Sequence, residues 1–379
     1  MKRLPIRRPG ARRVLFMNHD MTAGGAERAL LNLLSRLDRG RFQPTLWVRS
    51  RKGDLREAYE ALGIEVREQR WAMQEGARRR LIWNLPVAAV GLSRFDVVHS
   101  FCSNAWWTEP WAVRLGRVPA YLIRKSDLYR HGPVRSWEVR ERMADRIVAV
   151  TEHIAEAFYA DGPASRKVQV IRNGVDTELF RPMPPDLELR RRLGVPEGGA
   201  VLACVANLSP YKGQLPVLIA LALAKATDRT VHVVFAGRDL ADGEVQRWAA
   251  ELGVADRAHF VGLVNDVPRL LAGCDGMVLV SPREGCSNAV LEAMACGIPL
   301  VLSAAGAEEL LGDGEAGFVI GKGELDRMVD RMWTLGREPE LRRRMGEAAR
   351  RRALAAFSLD RMAKEYMDLY DEVLEEKAR

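Results

Sequence analysis

The chain is poor in cysteine, with five in 379 residues. Cys102, Cys204, Cys274, Cys286 and Cys296 form neither a CxxC pair nor a zinc-ligand spacing. That excludes a disulfide scaffold and reads as reduced, buried thiols of a cytoplasmic protein. Long apolar runs are missing too. No stretch reaches the roughly eighteen residues a membrane-spanning helix needs. The basic stretch from Met1 to Arg13 has no apolar segment behind it, so a secretory signal is not expected there. No GxGxxG occurs with dinucleotide-binding spacing, which weighs against a dehydrogenase. No helix-turn-helix, RNP or zinc-finger pattern points to nucleic acid. No cluster of His, Cys, Asp and Glu has metal-ligand spacing, so neither a metal nor a cofactor is expected. Internal repeats and low-complexity segments are also lacking.

What is present is a regular alternation of strand and helix signals, the pattern of βαβ units on parallel sheets. Val14-Leu-Phe-Met, Thr45-Leu-Trp-Val, Asp96-Val-Val-His, Ala120-Tyr-Leu-Ile, Arg146-Ile-Val-Ala-Val and Val168-Gln-Val-Ile read as strands of a first series. Pro182, Pro184 and Pro185 mark a linker. The pattern then restarts at Ala200-Val-Leu-Ala-Cys-Val and continues through Val231-His-Val-Val-Phe, His259-Phe-Val-Gly and Gly276-Met-Val-Leu-Val. A helical tail begins near Leu325. The expected organisation is an α/β fold of two Rossmann-like domains, residues 1–185 and 186–357, with a C-terminal helix over 358–379. Loops at the C-terminal edges of the two sheets would form the binding surfaces.

Charge divides unevenly between the halves. Residues 1–185 carry 33 Lys and Arg against 20 Asp and Glu, whereas residues 186–379 carry 25 against 30. Seven of the nine tryptophans also fall in the first half. Only that half is therefore a candidate to meet an anionic partner, such as an anionic membrane surface or a lipid pyrophosphate. Ala77-Arg-Arg-Arg-Leu-Ile-Trp-Asn-Leu-Pro, with Trp106, Trp107 and Trp111, suits an interfacial surface. It equally suits core packing beside a solvated arginine run.

Residues 284–297 hold the most chemistry: Glu-Gly-Cys-Ser-Asn-Ala-Val-Leu-Glu-Ala-Met-Ala-Cys-Gly. With Ser287 or Asn288 as N-cap, Glu292 sits about one turn into a helix. A helix start carries roughly half a positive charge and exposed N–H groups, which suit a phosphate. A carboxylate on each side, Glu284 and Glu292, can hold hydroxyls. The outline is that of a nucleotide-sugar site.

The full stretch from Asp275 to Val301 resembles the signature of retaining family-4 glycosyltransferases of the GT-B fold. The resemblance implies two Rossmann-like domains facing across a cleft, with the last helix returning to the N-terminal domain. It implies that Glu284 bonds hydroxyls of the donor sugar and Glu292 those of the ribose. Gly285, Cys286, Ser287 and Asn288 would present N–H groups to the diphosphate and sugar. Lys212, in Val205-Ala-Asn-Leu-Ser-Pro-Tyr-Lys-Gly, would neutralise the leaving diphosphate. Gly24-Gly25-Ala26-Glu27-Arg28 is similar to the family's loop after the first strand. His99, ending Asp96-Val-Val-His, would face the acceptor. Asn173-Gly174-Val175-Asp176 resembles the family's hinge, and Glu309 matches a family glutamate only loosely.

Two positions depart from the family pattern. Asn207 stands where the family often has an arginine, so one diphosphate cation is missing or comes from elsewhere, although an amide can still donate to a phosphate. Ser126 stands where a histidine is usual, beside Arg124 and Lys125, a basic pair expected to meet an anionic acceptor. The implied activity is retaining transfer of a hexose-type sugar from a UDP- or GDP-sugar to a saccharide or lipid-linked acceptor, in envelope or polysaccharide synthesis. Such a protein would be cytoplasmic or peripheral on the inner membrane face. The alternatives are a non-catalytic sugar-nucleotide binding protein and a GT-B epimerase.

Overall fold

The computed structural model describes residues 10–69, 78–102, 108–128, 134–161, 164–282, 285–303 and 306–379, and of 78–84 the backbone alone. The chain divides into two compact units, residues 1–174 with 359–379 and residues 175–358.

The first unit is built on seven strands: β1 (Arg12–Asn18), β2 (Phe42–Val48), β3 (Glu65–Glu68), β4 (Val97–Ser100), β5 (Ala120–Lys125), β6 (Arg146–Ala149) and β7 (Val168–Val170). Their order is β3-β2-β1-β4-β5-β6-β7, and the pairs are parallel. Strand β1 shows why the sheet is buried on both faces. Val14 and Phe16 enter one hydrophobic cluster, while Leu15 and Met17 enter another. That is the period of two expected of a strand covered on each side. The C-terminal helix, Leu359–Ala378, places Met362, Tyr366, Leu369, Tyr370 and Val373 in the first of these clusters. Their three- and four-residue spacing is one helix face.

The second unit repeats the plan with six strands: β8 (Ala200–Val205), β9 (Val231–Ala236), β10 (Ala258–Gly262), β11 (Gly276–Leu279), β12 (Leu300–Ser303) and β13 (Gly317–Ile320). The order is β10-β9-β8-β11-β12-β13, again parallel. In each sheet the order reverses once, between β1 and β4 and between β8 and β11. Ligands of open parallel sheets bind outside the strand ends at such a point.

The first unit ends at Gly174, ahead of the proline cluster. The cause is local bonding. Val175 pairs with Ser358, and its N–H donates to the Phe357 carbonyl at 2.8 Å. Arg350 donates to the carbonyls of Phe180 and Thr177 at 2.8 and 3.0 Å. The segment holding Pro182, Pro184 and Pro185 is thereby tied to the second unit. Among the described residues no helix is long and apolar enough to cross a membrane.

Candidate functional site

The loops after β8, β9 and β11 meet beside the switch point of the second sheet. Gly213 has φ +76°, and a Cβ there would lie 2.3 Å from the Val280 carbonyl oxygen. Only glycine accepts both conditions, so the Lys212-Gly213 turn can lie directly on the end of β11. Ser281 is buried and donates its hydroxyl to the Tyr211 carbonyl at 3.1 Å. Ser303, at the end of β12, donates to the Ser281 carbonyl at 2.7 Å. Gln214 donates to the Asn207 carbonyl at 3.0 Å. These bonds stitch the turns into one surface, and Lys212 is close enough for its charge to act on the Cys204 thiol. Burial nevertheless pushes that thiol up to about 12.

The helix Asn288–Ala295 starts on this surface, with Ser287 as N-cap and no side-chain hydrogen bond capping it. Gly285 and Cys286 are buried, and Ser287 and Asn288 are half-buried. Glu292 is 7 % exposed, one turn inside the helix. Gly285 and Ser287 line one small cavity with Leu279 and Ser303, and Ser303 is bonded to the same Ser281 that holds the turn before Lys212. Glu284 lies outside the described residues. Glu309 sits in the short helix Ala307–Leu311, whose Glu309 and Leu310 carbonyls accept from Arg352 at 2.7 and 2.6 Å. Among the described residues no group of three His, Cys, Asp or Glu is placed to hold a metal.

In the first unit Gly24 and Gly25 follow β1 and open the helix Gly25–Arg36. A Cβ on Gly24 would meet the Glu27 carboxylate at 2.1 Å, whereas Gly25 is exposed with nothing within 4 Å of its own Cβ position. Burial raises the pKa of Glu27, and nearby Asp20 adds to the rise. Sequence reading missed the pair just before this loop. His19 Nδ1 lies 3.2 Å from Asp20, whose other carboxylate oxygen accepts from the Thr22 N–H and hydroxyl at 2.9 and 2.7 Å. The hydrogen bond from His19 holds the Asp20 carboxyl far below its usual range. The adjacent pair His19-Asp20 at a strand end was the only signal in the sequence.

Two expectations for this unit are corrected. His99 does not face an acceptor, because its ring is fully buried. Nδ1 lies 2.8 Å from the Tyr370 hydroxyl, with Phe101 and Tyr366 packed around the ring. Burial, reinforced by Arg124 and Arg140, holds its pKa well below the ordinary value, so it is a neutral core histidine. The basic pair is also inside. Arg124 is 3 % exposed, donates to Asn173 Oδ1 at 2.8 Å and lies over the Phe101 ring. Lys125 is 2 % exposed, bonds Asp127 at 2.7 Å and lies over Trp137 and Phe158. Burial at the end of β5 turned both inward, and Ser126 beside them remains half-exposed, as does Asp127. Trp106 and Trp107, and the side chains of Arg78, Arg79, Arg80 and Trp83, lie outside the described residues.

The family described as Glycosyltransferase Family 4 matches residues 23–179, and Glycosyl transferases group 1 matches residues 186–352. The chain is 32 % identical over 244 residues to the putative glycosyltransferase EpsD of Bacillus subtilis, covering 63 % of each chain. It is 33 % identical over 301 residues to a D-inositol 3-phosphate glycosyltransferase of Stackebrandtia nassauensis, covering 71 % of this chain and 65 % of the relative. In both, the match spans less than two thirds of the relative's own length. The crystal structure of Anabaena Alr3699/HepE in complex with UDP and glucose superposes with a TM-score of 0.82 at 24 % identity, over 95 % of this chain and 99 % of that one. Two glycosyltransferase families thus account for the two halves of the sequence and a GT-B structure for their fold, and the chain belongs to the family-4 glycosyltransferases of the GT-B fold.

Proposed function

We propose that the chain transfers a hexose-type sugar from a UDP- or GDP-sugar to a saccharide or lipid-linked acceptor, with retention of anomeric configuration. The observation that carries this reading is that the Lys212 turn lies on the end of β11, from which Ser281 is bonded to Ser303 of the cavity that Gly285 and Ser287 line at the start of the helix bearing Glu292. This region has the parts a sugar nucleotide needs. Lys212 and the helix start stabilise charge that develops on the departing diphosphate. Glu292 accepts from ribose hydroxyls, and Glu284 takes the donor sugar. Asn207 and the N–H groups from Gly285 to Asn288 orient the phosphates. In the first unit Gly24 and Gly25 leave room for backbone to approach the substrate. Protein carboxylates need not act as an acid and base pair, because the leaving diphosphate can take the acceptor proton. No metal is needed in this scheme. HepE, which binds UDP and glucose, shares the fold and supports the donor class.

The test is thermal stability against a panel of UDP-, GDP- and ADP-sugars, with Glu292→Gln as control. A ligand at a hundred times its dissociation constant adds roughly 2.7 kcal/mol, which moves the melting temperature by a few degrees. A selective shift that Glu292→Gln loses is the expected result. A donor that binds without turnover would favour a binding protein, and a donor that is isomerised would favour an epimerase.

The acceptor reading places the protein in the cytoplasm, peripheral on the inner face of the cytoplasmic membrane, in envelope or polysaccharide synthesis. Support comes from apolar side chains left outside on two adjoining helices of the basic unit. Val87 and Val90 on Arg78–Leu92 are 73 % and 64 % exposed, and Trp111 and Leu115 on Thr108–Leu115 are 48 % and 57 % exposed. Charge reversal at Arg78, Arg79 and Arg80 should release the protein from anionic vesicles. Undiminished binding would remove this reading.

A further inference from the structure

We propose that Arg238 supplies the second cation of the nucleoside-diphosphate site, with Asn207 acting as the strut that holds Arg238 in place. This inference rests on the donor site proposed above. A diphosphate bears more negative charge than Lys212 and a helix start offset, and position 207 offers only a neutral amide.

The structure puts the backbone of Arg238 beside that amide. The Arg238 backbone N–H donates to Asn207 Oδ1 at 3.2 Å. The Leu208 N–H donates to the Arg238 carbonyl at 2.8 Å, and the Leu240 N–H returns to the Leu208 carbonyl at 3.0 Å. Leu208 and Asp239 form a parallel bridge. The loops leaving β8 and β9 therefore continue as a short ladder past the end of the sheet. Gly237 makes that approach feasible. A Cβ on it would lie 2.1 Å from the Ala206 carbonyl oxygen, so any larger residue would push Arg238 away. Through Gln214 the same Asn207 is bonded to the turn that carries Lys212. Arg238 and Lys212 are thus two cations on one stitched surface.

Asp239 accepts from the Ala241 and Gly243 N–H groups at 2.8 and 2.9 Å and from Gln246 at 3.2 Å, ordering the start of helix Glu244–Glu251. Arg238 is half-buried, a setting in which a planar guanidinium binds phosphate oxygens in paired fashion and strongly.

The experiment titrates UDP and GDP, each against its nucleoside, into the full chain by calorimetry. For the diphosphate that binds, Arg238→Gln should weaken affinity roughly ten- to hundredfold and leave the nucleoside unchanged. Arg238→Lys should retain more affinity than Arg238→Gln. The double variant Asn207→Arg with Arg238→Gln should recover most of the loss, which a merely structural role would not permit. Melting temperatures of the variants, measured alongside, separate lost contact from lost fold. If Arg238→Gln or, where that variant is unfolded, Arg238→Met binds the diphosphate within twofold of wild type, the assignment falls alone. A wild-type chain with no preference for diphosphate over nucleoside would overturn the donor site, and the assignment with it.

Discussion

The two units share a parallel sheet and a single reversal of strand order, yet they bury different chemistry. The first encloses Arg124, Lys125, Arg140, Glu109, Glu141 and His99, whereas the second encloses Glu292, Asp275, Gln214 and His232. In the first, the guanidinium of Arg140 is fully buried, 3.4 Å from Glu109, which also accepts from the Tyr121 hydroxyl at 2.7 Å. Arg140 further donates to Ser100 and to the Cys102 carbonyl at 2.6 and 3.0 Å. In the second, polar bonds concentrate in the loops at the strand ends and leave an apolar core beneath them. The lesson concerns charge. Part of the basic excess of the first half is internal structure, so net charge overstates what that half offers a partner.

The sharpest way to break this contrast is to remove one member of the buried pair. Arg140→Met should destabilise the chain by about 3–5 kcal/mol, because Glu109 is left charged and uncompensated in the interior. Adding Glu109→Gln should recover part of the loss. Urea unfolding of the single and double variants would check this, and a single variant as stable as wild type would contradict a structural role for the pair.

A smaller effect distinguishes the second unit. His232 Nδ1 lies 3.0 Å from His259 Nε2. Burial first, then His259, holds the pKa of His232 down to about 4, and burial lowers His259 as well. The unfolded chain takes up these protons near the ordinary value of 6.5, while the folded unit refuses them. Stability therefore falls as the pH drops below 6.5, and the loss from His232 is complete below about 4. The drop from 6.5 to about 4 is worth roughly 3 kcal/mol, which solvent screening reduces to on the order of 2 kcal/mol. His232→Gln should flatten that part of the pH dependence, measured as the urea midpoint between pH 7.5 and 4.5. An unchanged slope would mean that other groups carry it.

How far the sequence could be read depended on where the informative residues lie. The strand and the helix start of 275–301 were legible because their signals are local to that stretch. Strand β3 was not. Its residues, Glu-Val-Arg-Glu, lie at the sheet edge, half-buried, so they carry no apolar run. The His19-Asp20 pair was missed because nothing in two adjacent polar residues shows that one will grip the other. His99 was misplaced for a related reason. A histidine at a strand end suits a binding loop, but here the distant Tyr366 and Tyr370 of the last helix close over it.

The sequence by itself determined the alternation of elements, the family and the turn that opens the helix Asn288–Ala295. Those depend on periodicity and on residues adjacent along the chain, where backbone geometry links position to contact. Tertiary structure alone decided that Arg124 and Lys125 point inward, that His99 belongs to the core and that Arg238 stands beside Asn207. Each depends on contacts between residues far apart in the chain, and burial, which sets the energy of a charge, exists only once those segments have met.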